Sequence, residues 1–553
     1  MERLYPRHYV RKTTSLDGLW HFSRAKEGKP YGKDMMLAVP CAWESHPELC
    51  AYRGQGLYRR EVRLQQAGSI RLYFGAVSHY AKVLWDGKAV CEHNGAYTPF
   101  DCVLNAQTAG THTLEVLADS SFDGRSALSV PNDYFTYGGI TRGVELEYLP
   151  DACIERVEFI PRKTENGWLA QADVVLRALT EDAAVEGSVR IAGKTAAFAV
   201  ELQPGAAQCV RVAVPLENIT PWSPEHPQLY ELVTTLGDWD DDVQRVGFRT
   251  IECKDGHLFL NGEKLRIKGF NRHEDHPFLG CSSTLQSLVQ DIHLMRDMNA
   301  NLVRTCHYPN HELLLDLCDE MGMLVWEEEH ARGLSIEQMR HKDFMQQSLD
   351  CTREMMQAHI SHPSVILWGL LNECESASDE GRAMYKTIID LMRELDDSRP
   401  ITFASCRHYT DVCLDLVDVV SFNIYPHWYT ADDVDVTEYI QQLKDWIDTA
   451  GGAGKPFLIS EFGAGGIYGY RSPTRVKWTE ERQADIIRDV ASAALHMDQV
   501  DGVILWQFCD CRITEENNGF YGRPKTQNNK GVVDIYRRPK IAYEVIKSIY
   551  GMK

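Results

Sequence analysis

Several features that would assign the chain to a membrane or nucleic-acid function are missing from its sequence. No stretch of its 553 residues approaches the roughly 18 uninterrupted apolar residues of a membrane-spanning helix. Residues 1–18 lack the apolar segment of a secretory signal peptide. Basic residues are also in deficit, at 58 Lys and Arg against 79 Asp and Glu, whereas nucleic-acid-binding proteins usually carry a basic surface. We therefore expect a cytoplasmic protein that binds neither membranes nor nucleic acids.

The 16 cysteines show no spacing that indicates a disulfide framework or a metal site. Cys306, Cys318 and Cys406 lie in apolar runs, which is typical of buried free thiols in a reducing compartment. The triplet from Cys509 to Cys511 has no second ligand pair with matching spacing, so it does not predict a zinc site. We expect no metal and no other cofactor.

Two strand-rich units precede a segment in which strands alternate with helices. Up to about residue 250, short apolar runs are broken by Gly, Pro, Asn and Asp, a pattern typical of β-sandwiches. From about residue 252, apolar strand runs alternate with helix-like segments, which is typical of a parallel α/β fold. The predicted domains are a β-sandwich at residues 1–150, a second β-sandwich at residues 151–251 and a catalytic domain at residues 252–553.

Eight apolar runs in about 300 residues predict a (β/α)8 barrel for the third domain. Two of the intervening segments, residues 285–298 and 480–497, carry helical apolar spacing. An open doubly wound sheet is disfavoured, because no glycine-rich phosphate loop follows any run. The runs are residues 266–271, 301–307, 323–329, 365–373, 401–406, 419–425, 457–463 and 502–510.

Two glutamates end runs that a barrel would bring to one mouth. Barrel enzymes place their catalytic groups at the C-terminal ends of the strands. Glu373 ends the fourth run and Glu461 follows the apolar part of the seventh, where burying an unpaired carboxylate is costly. Glycoside hydrolysis needs such a pair, one carboxyl group to protonate the leaving oxygen and one to attack or to activate water. The competing interpretation is a surface glutamate at a helix start.

Longer motifs around these glutamates resemble glycoside hydrolase family 2, the family of β-galactosidases, β-mannosidases and β-glucuronidases. They are HPSV at residues 362–365, leading to Glu373, and RTCHYP at residues 304–309. SLDGLWHF at residues 15–22 is similar to the opening of that family's jelly-roll, sugar-binding-like sandwich, and residues 222–230 resemble its immunoglobulin-like second domain. The resemblance implies the order sandwich, sandwich, (β/α)8 TIM barrel along essentially the whole chain.

Within the family, the β-glucuronidase branch is the most similar. The segments that carry this likeness are HYAKV at residues 79–83, EHNGAYTPF at residues 92–100 and GFNRHED at residues 269–275. The resemblance implies that Glu373 is the acid/base and Glu461 the nucleophile of a retaining hydrolase. The remaining site residues are Tyr425, expected to steady the nucleophile; Asn372, expected to bind the sugar 2-hydroxyl; and His273, Asn423 and Trp506, expected at the sugar.

The two catalytic roles need different protonation states. The nucleophile Glu461 must be ionised, so we expect hydrogen bonds from Tyr425 or neighbouring donors to hold its pKa down. The acid Glu373 must carry a proton before the bond is cleaved and therefore needs a less solvated setting.

The loop after the eighth run carries candidate groups for binding a substrate carboxylate. Asn528 and Lys530 are able to donate hydrogen bonds and charge to one carboxylate. This Asn-x-Lys pattern resembles the feature by which glucuronidases recognise the substrate acid, although a solvated loop is the alternative. Asp133 matches a first-domain segment that in the family reaches into the active site and touches a ring hydroxyl, with a turn aspartate as the alternative.

The sequence departs from the glucuronidase pattern after the third run, in EEHARG at residues 328–333. Arg332 stands where that branch has a small apolar side chain. Glucuronate and galacturonate differ only at C4, and an arginine there is able to donate to an axial hydroxyl or reposition the carboxylate. We therefore predict that the protein prefers galacturonides or accepts both epimers. The alternative is an arginine tied to Glu328 or Glu329.

Two further functions stay open. A neutral-sugar β-glycosidase of the β-galactosidase type is favoured if Lys530 points away from the cleft. In a non-catalytic carbohydrate-binding protein, Glu373, Glu461 and Tyr425 would have no reason to lie together. The expected partners are uronic acid conjugates or oligosaccharides, and a homo-oligomer is expected because family members commonly assemble. The short path from Gly333 to His362 lacks a long aglycone-covering loop and predicts an open mouth.

Overall fold

The computed structural model describes residues 3–516 and 522–552. Two antiparallel β-sandwiches precede a parallel β-barrel surrounded by helices, which confirms the predicted fold class. The exact domain limits at residues 150 and 251 stay predictions. Within the described residues, no helix is long and apolar enough to cross a membrane.

The first sandwich packs a four-stranded sheet against a six-stranded sheet, and Trp20, Phe22 and Phe74 are fully buried between them. The connection from Asp119 to Gly139 contains no strand and extends to the barrel. The strands are Thr13–Ser15, Gly18–Lys26, Lys29–Val39, Gln55–Leu64, Gly68–Phe74, Val77–Ser78, Tyr80–Trp85, Lys88–Asn94, Phe100–Gln107, Gly110–Asp119, Gly139–Ile140 and Val144–Leu149.

The second sandwich joins a three-stranded and a four-stranded antiparallel sheet around a separate core. Side chains alternate between this core and solvent, as along Lys194–Leu202. Its strands are Ala152–Thr164, Gly167–Ala178, Ala183–Ile191, Lys194–Leu202, Ala207–Leu216, Tyr230–Leu236 and Asp240–Val246. A small sheet of Ile251–Lys254, His257–Leu260 and Glu263–Lys264 follows. Its apolar residues pack against the barrel core.

The barrel is one parallel sheet, in which strand one pairs with both strand two and strand eight. This pairing closes the sheet, so the doubly wound alternative is wrong. Strand five is in two pieces on either side of Phe403, one paired with strand four and the other with strand six. Strands one to eight are Ile267–Asn271, Leu302–Thr305, Leu324–Glu328, Val365–Gly369, Ile401–Thr402 with Ala404–Ser405, Val420–Asn423, Phe457–Phe462 and Gly502–Leu505.

Several barrel strands end before the predicted apolar runs do. Strand four ends at Gly369, so Glu373 lies four residues beyond it rather than at its last residue. The backbone of Leu371 and of Glu373 is left-handed, with φ of 44° and 53°, and extended strand geometry cannot continue through it. Strand eight likewise ends at Leu505, well before Asp510. The mouth of the barrel is therefore built from irregular segments that follow the strands.

The predicted helices at residues 285–298 and 480–497 are confirmed within a residue. The α-helices are Leu285–Asp297, Glu312–Met321, Ile336–Met339, Phe344–His359, Asp379–Leu395, Val436–Ile447, Glu480–His496 and Ile541–Tyr550. Residues 406–419, which the structure describes in full, contain no α-helix, so a loop alone joins barrel strands five and six.

Most of the cysteines are free thiols, and Cys306 and Cys318 are buried as predicted. Cys91 and Cys102, however, form a disulfide between two strands of the first sandwich, where their Cα atoms lie 6.1 Å apart. The predicted burial of Cys406 is also wrong, because this residue lies beyond strand five at the open barrel mouth.

A buried arginine joins the two sandwiches. Arg11 donates through Nε and Nη2 to both carboxylate oxygens of Asp240 at 2.8 Å, and through Nη1 to Glu147 at 2.8 Å. Glu147 belongs to the first sandwich and Asp240 to the second. Burial alone would raise the pKa of Glu147, but Arg71, Arg11 and Arg7 outweigh it and lower that pKa to about 2. Arg11 therefore couples the stability of the two units.

We predict that Arg11→Met lowers the free energy of unfolding by about 3–5 kcal/mol, because it leaves the buried carboxylate of Asp240 without its arginine and removes one of the three arginines that act on Glu147. Urea unfolding followed by tryptophan fluorescence measures this loss. The matched control is Arg190→Met, which removes an exposed pair with Glu231 and should cost less than about 1 kcal/mol. An equal loss of unfolding free energy in the two variants would contradict the role of Arg11 in joining the two sandwiches.

Candidate active site

A cavity of about 400 Å³ opens at the C-terminal ends of the barrel strands. It contains both predicted catalytic glutamates and most of the predicted sugar-binding residues. Residues from the first sandwich and from several barrel loops line it together. They are Asp133, Arg332, Glu373, Cys406, His408, Asn423, Tyr425, Tyr429, Thr430, Tyr439, Glu461, Trp506, Arg523 and Lys530.

Glu461 is buried at the end of strand seven and is held by two donors. Tyr425 donates its hydroxyl to Oε2 at 2.7 Å, and Arg304 donates from Nη1 to Oε1 at 3.1 Å. We expected such donors to hold its pKa down. Burial and the neighbouring Glu373 carboxylate outweigh Arg304 and Tyr425, and they raise the pKa of Glu461 to about 7. This carboxyl group therefore needs near-neutral pH to ionise.

Glu373 lies across the cavity, and three neighbours fix its position. Its backbone N–H donates to the carbonyl of Ala404 at 2.9 Å, which ties it to strand five. Asn423 donates from Nδ2 to its carboxylate at 2.9 Å. The guanidinium of Arg332 lies 3.3 Å from its Oε2. Asn423 thus binds the carboxylate of Glu373, a contact that the sequence did not predict.

Arg304 connects the ends of several barrel strands beneath the cavity. It donates to Asn271 at 2.7 Å, to Asn372 Oδ1 at 2.7 Å and to Glu328, in addition to Glu461. The contact with Arg304 fixes Oδ1 as the accepting atom of the Asn372 amide, and its buried Nδ2 has no partner among the described residues. That amide is free to donate to a sugar hydroxyl, consistent with the predicted role of Asn372.

Around Asp133, which also lines the cavity, positively and negatively charged side chains alternate. The Asp133 carboxylate accepts hydrogen bonds from Arg523 at 2.8 Å and Asn528 at 3.2 Å, and Arg332 lies 3.4 Å away. Burial would raise the pKa of Asp133, but Arg332, Arg523 and Lys530 hold it well below its usual range. Asp133 is therefore a buried, ionised carboxylate and not a turn residue.

Lys530 points into the cavity, where its Nζ donates to the Tyr429 hydroxyl at 2.9 Å and lies 4.2 Å from the Tyr425 ring centroid. Burial lowers its pKa. Arg523 and Tyr429 are absent from the predicted site residues, because each lies in an irregular loop with no motif or periodicity around it. Arg523 and Tyr429 stand out only in the folded chain, where three cations surround Asp133.

The alternative in which Arg332 pairs with Glu328 or Glu329 is wrong. Glu328 is instead bound by Arg304 and by His307 Nδ1 at 2.8 Å. Arg332 donates from Nη1 to Asn132 Oδ1 at 2.8 Å and turns towards the cavity. Its backbone forms a bridge with Asn372, which fixes it beside the segment that carries Glu373.

His273 and Trp506 lie together beneath the cavity, with the two rings edge to face at 5.3 Å. Trp506 lines the cavity, whereas His273 is 5% exposed and shares a hydrogen bond with the Tyr308 hydroxyl at 3.2 Å. Its buried Nε2 has no partner in the part of the chain that the structure describes. Nε2 is thus the ring nitrogen of His273 that is left for a sugar hydroxyl, although His273 itself does not line the cavity.

Two clusters have the residue types of a metal site. His273, Cys306 and His307 bring ligand atoms within 4.8 Å of one another, as do Asp316, Asp319 and His362. In the first cluster, burial raises the pKa of the Cys306 thiol well above its usual value, which opposes the thiolate that a metal needs.

The second cluster is already satisfied by protein groups. Asp316 accepts from Arg3 at 2.8 Å, and Asp319 is bound by His362 and by the backbone N–H of Ser364. Cys509 and Cys511, the triplet considered from sequence, form no such group in the described residues.

Paired carboxylates in the mouth of a (β/α)8 barrel that follows two β-sandwiches define a glycoside hydrolase. The chain belongs to glycosyl hydrolases family 2. Models of that family's sugar binding domain, of the family itself and of its TIM barrel domain match residues 13–150, 153–249 and 251–552.

Known proteins that are similar to the chain include a β-galacturonidase and β-glucuronidases. A family 2 β-galacturonidase from Eisenbergiella tayi, solved with galacturonate bound, is 46% identical, with a TM-score of 0.96 over 100% of this chain and 99% of that one. A β-D-glucuronidase from Dictyoglomus thermophilum is 25% identical, with a TM-score of 0.86 over 99% of both. A β-glucuronidase of Paenibacillus borealis is 27% identical, over 99% of this chain and 98% of its own length.

We predict that Tyr425→Phe moves the acid limb of the pH profile of kcat/KM to higher pH. The hydroxyl stabilises the ionised form of Glu461, so its loss raises a pKa that is already about 7 and leaves less of the Glu461 carboxylate ionised at a given acid pH. The profile is measured between pH 5 and 9 alongside the exposed control Tyr536→Phe. An acid limb that stays in place or moves to lower pH would show that Tyr425 does not support the carboxylate.

Proposed function

We propose that the protein hydrolyses terminal β-D-hexuronides with retention of configuration, and that β-galacturonides are its preferred substrates. The observation that supports galacturonate over glucuronate is the position of Arg332. Its guanidinium lies 3.3 Å from Glu373 and 3.4 Å from Asp133, so it reaches from the proposed acid/base to Asp133, where we place the C4 hydroxyl. The similarity to the Eisenbergiella tayi β-galacturonidase supports the same assignment.

In the proposed double displacement, Glu461 attacks the anomeric carbon while Glu373 gives its proton to the leaving oxygen. The bond from carbon to the leaving oxygen breaks, and the sugar becomes an ester of Glu461. Glu373, now ionised, accepts a proton from water, which attacks the same carbon and releases Glu461 as a carboxylate. The two inversions together give retention.

The surrounding residues have separate tasks in this scheme. Asn372 Nδ2 is free to bind the 2-hydroxyl, where hydrogen bonds strengthen in the transition state. Asn423 orients the carboxyl group of Glu373, and Tyr425 with Arg304 orients that of Glu461. These hydrogen bonds hold both reacting groups before the sugar arrives.

Recognition of the uronate rests on Lys530 and Asn528, with Arg523 as an additional cation. The ammonium group of Lys530 is desolvated, and among the described residues its only oxygen partner is the Tyr429 hydroxyl. Such a group attracts an anion. A neutral-sugar hydrolase would not need this charge, and Lys530 faces the cavity rather than solvent. A non-catalytic binding protein is disfavoured because Glu373, Glu461 and Tyr425 meet in one cavity.

We predict that Lys530→Ala lowers kcat/KM for an aryl β-uronide by about 100-fold or more, because a charge-assisted contact is lost from a buried site. Hydrolysis of the matching aryl β-galactoside, which has no carboxylate, should fall far less. Lys525→Ala removes an exposed lysine from the same loop and is the matched control. Equal losses on the acidic and neutral substrates would argue against a uronate site at Lys530.

We predict that Arg332→Ala lowers kcat/KM for nitrophenyl β-galacturonide by about 10- to 100-fold, the range expected for a lost charged hydrogen bond. Activity on nitrophenyl β-glucuronide should fall less, so the ratio of the two constants measures the selectivity. The exposed Arg340→Ala, which removes a surface pair with Glu380, is the control. A wild-type preference for the glucuronide would refute the galacturonide assignment.

A further inference from the structure

The segment of the first sandwich that carries Asp133 is held in place by a single residue of the barrel. Residues 120–138, all of which the structure describes, contain no strand, so their buried backbone groups need partners outside the two sheets. Thr514, a fully buried residue of the loop after strand eight, provides two hydrogen bonds. Its N–H donates to the carbonyl of Asn132 at 3.2 Å, and its hydroxyl donates to the carbonyl of Tyr134 at 3.0 Å. The backbone is therefore bound on both sides of Asp133.

The loop that carries Thr514 also binds the side chain of Asp133. Within this loop, Cys511–Arg512 and Gln527–Asn528 pair as antiparallel strands. Thr514 follows the first of these strands by two residues, and Asn528 ends the second. Because Asn528 donates from Nδ2 to the Asp133 carboxylate at 3.2 Å, the same paired loop fixes both the backbone and the carboxylate of Asp133.

The two carboxylate oxygens of Asp133 have different surroundings. Oδ2 accepts from Arg523 at 2.8 Å and from Asn528. Oδ1 is buried and has no hydrogen-bond partner among the described residues. Nη2 of Arg332 lies 3.4 Å from Oδ1, which is longer than an ordinary N–H···O hydrogen bond. Since a charge-assisted hydrogen bond in a buried site is favourable, this gap indicates that their surroundings hold the two residues apart.

Arg332 is held through the same segment. It donates from Nη1 to Oδ1 of Asn132 at 2.8 Å, and the backbone carbonyl of Asn132 is one of the two that Thr514 binds. Thr514 thus acts on Asp133 through the backbone and on Arg332 through Asn132. Both groups that we place at the C4 hydroxyl depend on one threonine.

We propose that Thr514 is a positioning residue that sets the selectivity between the two C4 epimers. Thr514 does not line the cavity, so it acts without touching the sugar. By holding Asp133 away from Arg332, it keeps Oδ1 of Asp133 available to accept a hydrogen bond from the C4 hydroxyl. The proposal rests on the proposed function, because it takes this hydroxyl to bind at Asp133. Selectivity then depends on the contact between the barrel and the first sandwich as well as on the residues that face the sugar.

Thr514→Val tests the proposal, because it keeps the shape of the side chain and removes its hydroxyl. We expect kcat/KM for nitrophenyl β-galacturonide to fall about tenfold, as a hydrogen bond to a charged group is weakened. For the 4-deoxy analogue, which has no C4 hydroxyl to lose, kcat/KM should fall less than about twofold. The ratio of kcat/KM for the galacturonide to that for the glucuronide should fall at least about threefold.

Two further variants assign the effect to the Thr514 hydroxyl. Thr514→Ser keeps the donor and should keep kcat/KM for the galacturonide within about twofold of wild type. Thr387→Val is the matched control, because it removes a hydroxyl that donates to the carbonyl of Ala383 on an exposed helix face. A crystal structure of Thr514→Val should show Oδ1 of Asp133 and Nη2 of Arg332 closing from 3.4 Å to about 3 Å.

Other outcomes would overturn the proposal. Equal losses on the galacturonide and its 4-deoxy analogue in Thr514→Val, with unchanged thermal melting, would mean that Thr514 supports the site in general and not the binding of the C4 hydroxyl. A Thr514→Ser variant with a tenfold loss would exclude the role of the hydroxyl, even if Thr514→Val does not fold. If the wild type hydrolyses none of the three uronides, the proposed function itself fails, which is a different result from a failure of Thr514 to act on selectivity.

Discussion

The buried contact between Arg304 and Glu461 is the interaction on which the rest of the site depends. The guanidinium of Arg304 is fully buried and holds Glu328, Asn271 and Asn372 as well as the proposed nucleophile. Four other segments at the barrel mouth are therefore joined through one cation. Removing it would leave the buried carboxylates of Glu328 and Glu461 without their guanidinium partner, a cost of several kcal/mol. The geometry for catalysis and the stability of the barrel mouth are thus set by the same side chain.

A similar constraint explains how an acidic protein can bind an acidic sugar. With a formal charge of −21, the chain must gather positive charge locally, and each cation must be compensated where it is buried. Asp133 provides this compensation for Arg332 and Arg523 from the first sandwich. The sandwich is therefore part of the active site, and its loop at residues 120–138 has a chemical as well as a structural role.

The fold was predictable because its signals are local and periodic. Apolar runs located all eight barrel strands, and helical spacing located Leu285–Asp297 and Glu480–His496 within a residue. Strand ends were less predictable. The left-handed backbone at Glu373 places it four residues past its strand, and nothing in the apolar pattern indicates that turn. The disulfide between Cys91 and Cys102 was also missed, because pairing depends on distances between strands rather than on spacing.

Site residues that lie in recognisable motifs could be predicted from the sequence, whereas those that only packing brings to the site could not. Glu373, Glu461, Tyr425 and Lys530 all line one cavity, as expected from their places after barrel strands. Arg523 and Tyr429 come from irregular loops, and only the folded chain brings them to Lys530. The pKa of Glu461 is higher than expected, because the sequence indicated hydrogen-bond donors but not how deeply this carboxyl group is buried.

We propose that Lys530 binds the substrate carboxylate while Arg332 and Asp133 bind the C4 hydroxyl. A crystal structure of Glu373→Gln with an intact nitrophenyl β-galacturonide tests these contacts. We expect the carboxylate within about 3 Å of Lys530 Nζ and Asn528 Nδ2, and the axial hydroxyl in contact with Arg332 or Asp133. A carboxylate bound to Arg332, with Lys530 still on Tyr429, would contradict it.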